Sequence, residues 1–148
     1  MRIQKLAYKP HLYESRATFA EKLALSPRTC WVSLYGDAQV AAYLFAFPWL
    51  QFQSVALDTL LVRLPDAPDC LYMHDMAIDQ DYRGCGIGQA LTHTALQCAV
   101  QHGFHRVMLT AVQRSMGYWA RFGFKPTEGT DAALKTYGTE ACLMLAAI

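Results

Sequence analysis

The hexapeptide Arg83-Gly84-Cys85-Gly86-Ile87-Gly88 stands between two segments of different period. Before it, Cys70-Leu71-Tyr72-Met73-His74-Asp75-Met76-Ala77-Ile78 reads as a strand. After it, residues 89–101 read as a helix with Leu91, Ala95, Cys98 and Ala99 on one face. A glycine-rich turn between a strand and a helix N-terminus is an anion site: glycines admit close backbone approach, N–H groups converge, and the helix dipole adds partial positive charge. The ligand it implies is a phosphate or pyrophosphate. A P-loop requires Lys-Ser/Thr after its last glycine, and Gln89-Ala90 stand there. A dinucleotide fingerprint requires a third small residue at a fixed offset, where Gln89 or Leu91 stands, and an acid about 20 positions on; no Asp or Glu occurs between Tyr82 and Thr127. Both phosphate folds are excluded.

What remains is Arg-x-x-Gly-x-Gly, from Arg83 through Gly86 to Gly88. This resembles the acyl-coenzyme A pyrophosphate loop of the GCN5-related N-acetyltransferases (GNAT). Met76-Ala77-Ile78 is similar to that family's cofactor-pairing strand end. Trp119-Ala120-Arg121-Phe122-Gly123-Phe124 resembles its late helix, usually Tyr-x-x-x-Gly-Phe, and Tyr137-Gly138 with Ala141-Cys142-Leu143-Met144 looks like its last strand. The resemblance implies one α/β (α+β type) domain over residues 1–148, a mixed central sheet with helices on both faces. It implies acetyl-CoA as acyl donor, no metal, and an amine acceptor, small molecule or peptide. The residues it assigns to the cofactor are Met76, Ala77, Ile78, Arg83, Gly84, Cys85, Gly86, Ile87, Gly88, Gln113 and Trp119.

Composition fits. At 148 residues, 53% hydrophobic and 17% charged, the chain is long enough to bury a core. No apolar run reaches bilayer length, and Met1-Arg2-Ile3-Gln4-Lys5 lacks a signal-peptide core, so a cytoplasmic protein is expected. Five cysteines at 30, 70, 85, 98 and 142 show no C-x-x-C pair or zinc spacing and read as reduced, mostly buried thiols, with Cys85 facing solvent. Residues 82–127 hold five Lys or Arg and no acid, whereas residues 37–81 hold seven acids and only Arg63. That segregation suits an anionic cofactor and a cationic acceptor. No basic, aromatic-interleaved stripe points to nucleic acid, and the sequence is compatible with a homodimer.

Residues 2–7 read as a first strand, and Pro10 opens a helical region to about residue 25 with Leu12, Phe19 and Leu23 on one side. Residues 30–35 and 39–47 read as strands joined by a Gly36-Asp37 turn, with Pro48 ending the second. Residues 49–69 form a long connection, with a short helical piece at 58–63, expected to wall the acceptor site. A strand at 106–112, a helix at 115–122, a further strand near Phe124 and a final strand at 140–148 complete the order.

Acyl transfer to an amine calls for a base, because an alkylamine with pKa of about 10.4 is almost wholly protonated near neutrality. His74 is the candidate, an imidazole with an ordinary pKa of about 6.5 on the strand before the loop. Strict alternation puts Tyr72, His74, Met76 and Ile78 on one face and Met73, Asp75 and Ala77 on the other. Asp75 is a candidate for binding a cationic acceptor if a bulge exposes it, and Trp49 for stacking on one. The family's usual general acid is the Tyr four residues before the Gly of Gly-Phe. Trp119 stands there, and an indole cannot protonate a thiolate. Tyr118 is the adjacent candidate, although one helical step turns it about 100° away. The implied activity is N-acetyl transfer by direct attack in a ternary complex. The alternatives are an acyl-CoA-binding module that has lost the acid, and transfer to a hydroxyl.

Overall fold

The computed structural model describes residues 1–36, 38–128 and 132–148. Asp37, in the expected hairpin turn, lies outside the described residues. In chain order the elements are α1 (Arg2–Ala7), α2 (Arg16–Leu25), β1 (Cys30–Tyr35), β2 (Gln39–Trp49), β3 (Cys70–Ile78), α3 (Ile87–Gln101), β4 (Arg106–Ala111), α4 (Met116–Ala120), β5 (Lys125–Pro126), α5 (Ala132–Lys135) and β6 (Cys142–Ala147). The strands form one mixed sheet in the order β1-β2-β3-β4-β6-β5, in which, among the described residues, only β3 and β4 run parallel. A parallel pair needs a crossover, and α3 supplies it.

Helices cover both faces. On one, Leu91, Ala95 and Ala99 of α3 pack with Trp119 and Phe124 against Ala42, Leu44, Leu71 and Met73. On the other, Ile3 of α1 and Phe19 of α2 pack on Tyr43 and Ala77. Beside them Phe47, Tyr72, Met108 and Leu143 form a further apolar cluster. No helix among the described residues is long and apolar enough to cross a membrane.

Five local readings are corrected. Residues 2–7 are a helix: Ile3 is buried and Ala7 half-buried one turn later, a spacing of four that a strand would not use. Helix α2 does not begin at Pro10; a short 3₁₀ turn (Pro10–Leu12) comes first, and Ser15 caps α2 by accepting from the Thr18 N–H at 3.3 Å. On α2 itself, Leu23 is exposed. Strand β2 continues through Pro48 to Trp49, because past Phe45 it has outrun β1 and its outer edge is unpaired, where proline removes no ladder bond. Residues 58–63 are not helical; Asp58 and Val62 adopt φ of 53° and 63°, incompatible with a right-handed helix. Thr92 of α3 is fully buried and satisfies its hydroxyl by donating to the Gly88 carbonyl at 2.8 Å.

Candidate active site

Two irregularities in β3 make the site. The first is a bulge. Phe45 of β2 pairs with Asp75 and Ala46 with Met73, so His74 is an extra residue without a β2 partner. An inserted residue reverses the alternation beyond it. Met76 and Ile78 therefore pack with Leu71 and Met73 on the α3 face, while His74, Asp75 and Ala77 follow Tyr72 on the opposite face. The expected grouping of His74 with Met76 and Ile78 is corrected on this ground.

The second irregularity is a splay. Strands β3 and β4 pair at Leu71, Tyr72 and Met73 with Val107, Met108 and Leu109, and then diverge. The wedge between them is a cavity of about 340 Å³. Met76, Ala77 and Ile78 line one side and Thr110, Val112 and Gln113 the other; His74, Asp75 and Glu14 lie within, and Arg83 stands at the end toward the glycine loop. Trp49 is not among the lining residues; it packs beside Phe47 at the far end of β2.

At the loop, Gly84 and Gly86 have φ of 80° and 79°. Gly86 is the N-cap of α3, with no side chain capping the helix. Nothing lies within 4 Å of a Cβ built on either glycine, so the backbone there is open to a ligand. Exposed Cys85 sits between them and Arg83 flanks them. An uncapped 15-residue helix behind two left-handed glycines is chemically suited to a phosphate group.

Tyr118 and Trp119 both line the cavity. The helical step carries the Tyr118 ring along the wall toward the loop rather than away from it. Its hydroxyl is buried without a hydrogen-bond partner and stands 2.6 Å from where a Cβ on Gly88 would lie. Trp119 donates its indole N–H to the Ser115 hydroxyl at 3.2 Å and packs on Phe124. Gln113 adopts φ of 51°; its side chain accepts from the Lys9 N–H at 3.0 Å and donates to the Ala7 carbonyl at 3.1 Å, strapping the end of α1 to the end of β4.

Four residues that sequence reasoning missed, Glu14, Lys22, Tyr8 and Tyr43, surround His74 and Asp75. His74 Nε2 lies 2.8 Å from Glu14 Oε2, with both side chains essentially buried. Glu14 Oε1 accepts from Lys22 Nζ at 3.3 Å and from the Asp58 N–H at 2.9 Å. Burial alone would raise the Glu14 pKa, but His74, Lys22 and the Asp58 N–H outweigh it and hold the carboxyl at about 2. Asp75 faces two phenols, Tyr8 at 2.7 Å from Oδ1 and Tyr43 at 3.0 Å from Oδ2. Burial pushes Asp75 up to about 6 despite these donors, and burial also raises both phenols. No local pattern marks Glu14, Tyr8 or Lys22; only the docking of α1 and α2 on β3 brings them in. Tyr137, from the segment before β6, also lines the cavity, with its hydroxyl donating to the Val55 carbonyl at 2.6 Å.

A mixed sheet splayed at its one parallel pair, with a glycine loop at the mouth of the splay, defines an acyl-CoA N-acyltransferase fold. Residues 2–124 match the sequence profile of the acetyltransferase (GNAT) family, and the chain belongs to that family. It is 28% identical over 57 residues to a glucosamine 6-phosphate N-acetyltransferase of Trypanosoma brucei brucei, a match covering 38% of this chain and 39% of that relative. Among solved structures it is similar to GphF, a GNAT-like decarboxylase in complex with isobutyryl-CoA, with a TM-score of 0.81 at 15% identity over 99% of this chain and 91% of that one. Ard1 from Thermoplasma volcanium superposes with a TM-score of 0.73 at 14% identity over 99% and 87% of the two chains.

Proposed function

We propose that this protein transfers an acetyl group from acetyl-CoA to a primary amine by direct attack in a ternary complex. The observation that carries the reading is His74 at the bulge, lining a cavity that runs from the splayed strands to an open glycine loop. The loop residues Gly84, Gly86 and Gly88, with Arg83, hold the pyrophosphate. The edge of β3 at Met76, Ala77 and Ile78 pairs with the pantetheine amides, as an added strand would. The amine nitrogen attacks the thioester carbon, forming the C–N bond; the nitrogen's proton passes to His74, the C–S bond breaks, and the sulfur leaves to become the thiol. Tyr118, with its unpartnered hydroxyl, is the available donor to that sulfur, since Trp119 occupies the usual tyrosine position. Asp75 adds negative charge that favours a cationic acceptor. The glucosamine 6-phosphate N-acetyltransferase relative supports an amine acceptor on a small molecule; a peptide amine is the other acceptor of this reading.

An acyl-CoA-binding module is the second reading, favoured by Trp119 in place of tyrosine. Thiol release from acetyl-CoA against a panel of amines separates the two. The expected result is amine-dependent release that falls at least about tenfold in His74→Ala with coenzyme A affinity unchanged. No release with any amine favours the binding module, and an unchanged rate in His74→Ala removes this base.

A further inference from the structure

The Glu14 carboxylate has no function in the reaction just described, yet three hydrogen-bond partners hold it in the cavity. Its backbone is fixed by the buried Gln4 of α1, which donates from Nε2 to the Glu14 carbonyl at 3.0 Å and accepts the Glu14 N–H at 2.8 Å. Its Oε1 is occupied by Lys22 and the Asp58 N–H, leaving Oε2 for His74. Lys22 is itself fully buried, with its ammonium also donating to the Thr59 carbonyl at 3.1 Å. Three segments, α1, α2 and the connection before β3, thus converge to aim one carboxylate oxygen at one ring nitrogen.

We infer that Glu14 is a positioning residue: it fixes His74 in the Nε2–H tautomer and leaves Nδ1 as the bare nitrogen that takes the proton. The inference rests on the base role proposed for His74. A carboxylate paired with a buried ammonium and a backbone N–H has no proton to donate, so the hydrogen in the 2.8 Å contact belongs to His74 Nε2. A neutral imidazole protonated there carries its lone pair on Nδ1, and Nδ1 is buried with no hydrogen-bond partner. The carboxylate also stabilises the imidazolium formed when Nδ1 takes the proton. The other ionisable groups around the ring are Asp75 beside it on β3, Tyr72 at 6.1 Å between ring centroids, Tyr8 and Tyr43 reached through Asp75, Tyr137 across the cavity, and Lys22 behind Glu14. Burial keeps Tyr8, Tyr43 and Tyr137 neutral, and burial lifts Asp75 to about 6.

Two measurements test the inference. Long-range proton–nitrogen spectra of the ¹⁵N-labelled wild-type protein should show neutral His74 with its proton on Nε2; an Nδ1–H tautomer overturns the inference without any variant. In Glu14→Gln, kcat should fall about tenfold or more, the KM for acetyl-CoA should hold within about twofold, and the acid limb of the pH–rate profile should move to lower pH as the neighbouring negative charge is lost. Because Glu14→Gln strands a buried ammonium, Glu14→Gln/Lys22→Met is made alongside it and should show the same kinetics. The limb should survive in Asp75→Asn; its disappearance there assigns it to Asp75 and overturns the inference. A limb unmoved in Glu14→Gln while His74→Ala is inactive overturns the positioning role alone, whereas an active His74→Ala overturns the base itself.

Discussion

Gly88 is the tightest point at the head of α3, and the reason is space rather than backbone conformation. A Cβ there would stand 2.6 Å from the Tyr118 hydroxyl oxygen and 2.8 Å from Ile78 Cδ1. Gly88→Ala should push the Tyr118 ring from its place and destabilise the fold by about 1–3 kcal/mol, as overpacking does. Gly88→Ala/Tyr118→Phe removes the closer of the two atoms, so the pair should be less destabilised than Gly88→Ala alone. Thermal denaturation of the three variants decides it: a double mutant no more stable than Gly88→Ala would mean that Ile78 sets the limit. The glycine pattern that made this loop legible in the sequence therefore has two physical origins. Gly84 and Gly86 are needed for a left-handed backbone, and Gly88 for the approach of a side chain 30 positions on.

The loop and the helix behind it were legible because their code is local: glycine conformations and a helix period are written within a few residues. The bulge in β3 was not. Nothing in Met73-His74-Asp75 marks an insertion, since it is defined by which β2 residue stands opposite, and one extra residue reassigned every later side chain of β3. Glu14 and Lys22 were illegible for a related reason: they acquire meaning only when α1 and α2 dock on the sheet. At the loop the expectation is sharp. Gly86 has φ of 79°, and a β-branched side chain is poorly tolerated there. Gly86→Val should lose coenzyme A binding while retaining the far-ultraviolet circular dichroism of the fold, and calorimetric titration that finds wild-type affinity in the folded variant would remove the loop from the cofactor site.

For the molecule as a whole, the buried carboxyls of Glu14 and Asp75 impose opposite pH dependences on stability. Glu14 is lowered to about 2 from an ordinary 4.5, so its contribution is complete above pH 4.5 and is lost as pH falls toward 2. Asp75 is raised to about 6 from 3.8, so the folded state holds that proton more tightly than the unfolded chain. Asp75 outweighs the last of the Glu14 gain, so stability should decline as pH rises from 4 to 6, by on the order of 1–2 kcal/mol. Urea denaturation across that range should show the decline in the wild type and a flatter profile in Asp75→Asn; parallel profiles would mean that Asp75 titrates alike in both states. The splay of the sheet has a consequence of another kind. Because β3 and β4 part company after Met73 and Leu109, the two halves of the sheet share a short seam, and the backbone edges beyond it face each other across a gap. A ligand that bonds to those edges completes the seam, so its binding energy and the cohesion of the two halves are one thermodynamic quantity. The chain should be hardest to unfold when that gap is filled, and occupancy of the site would set how long each molecule lasts.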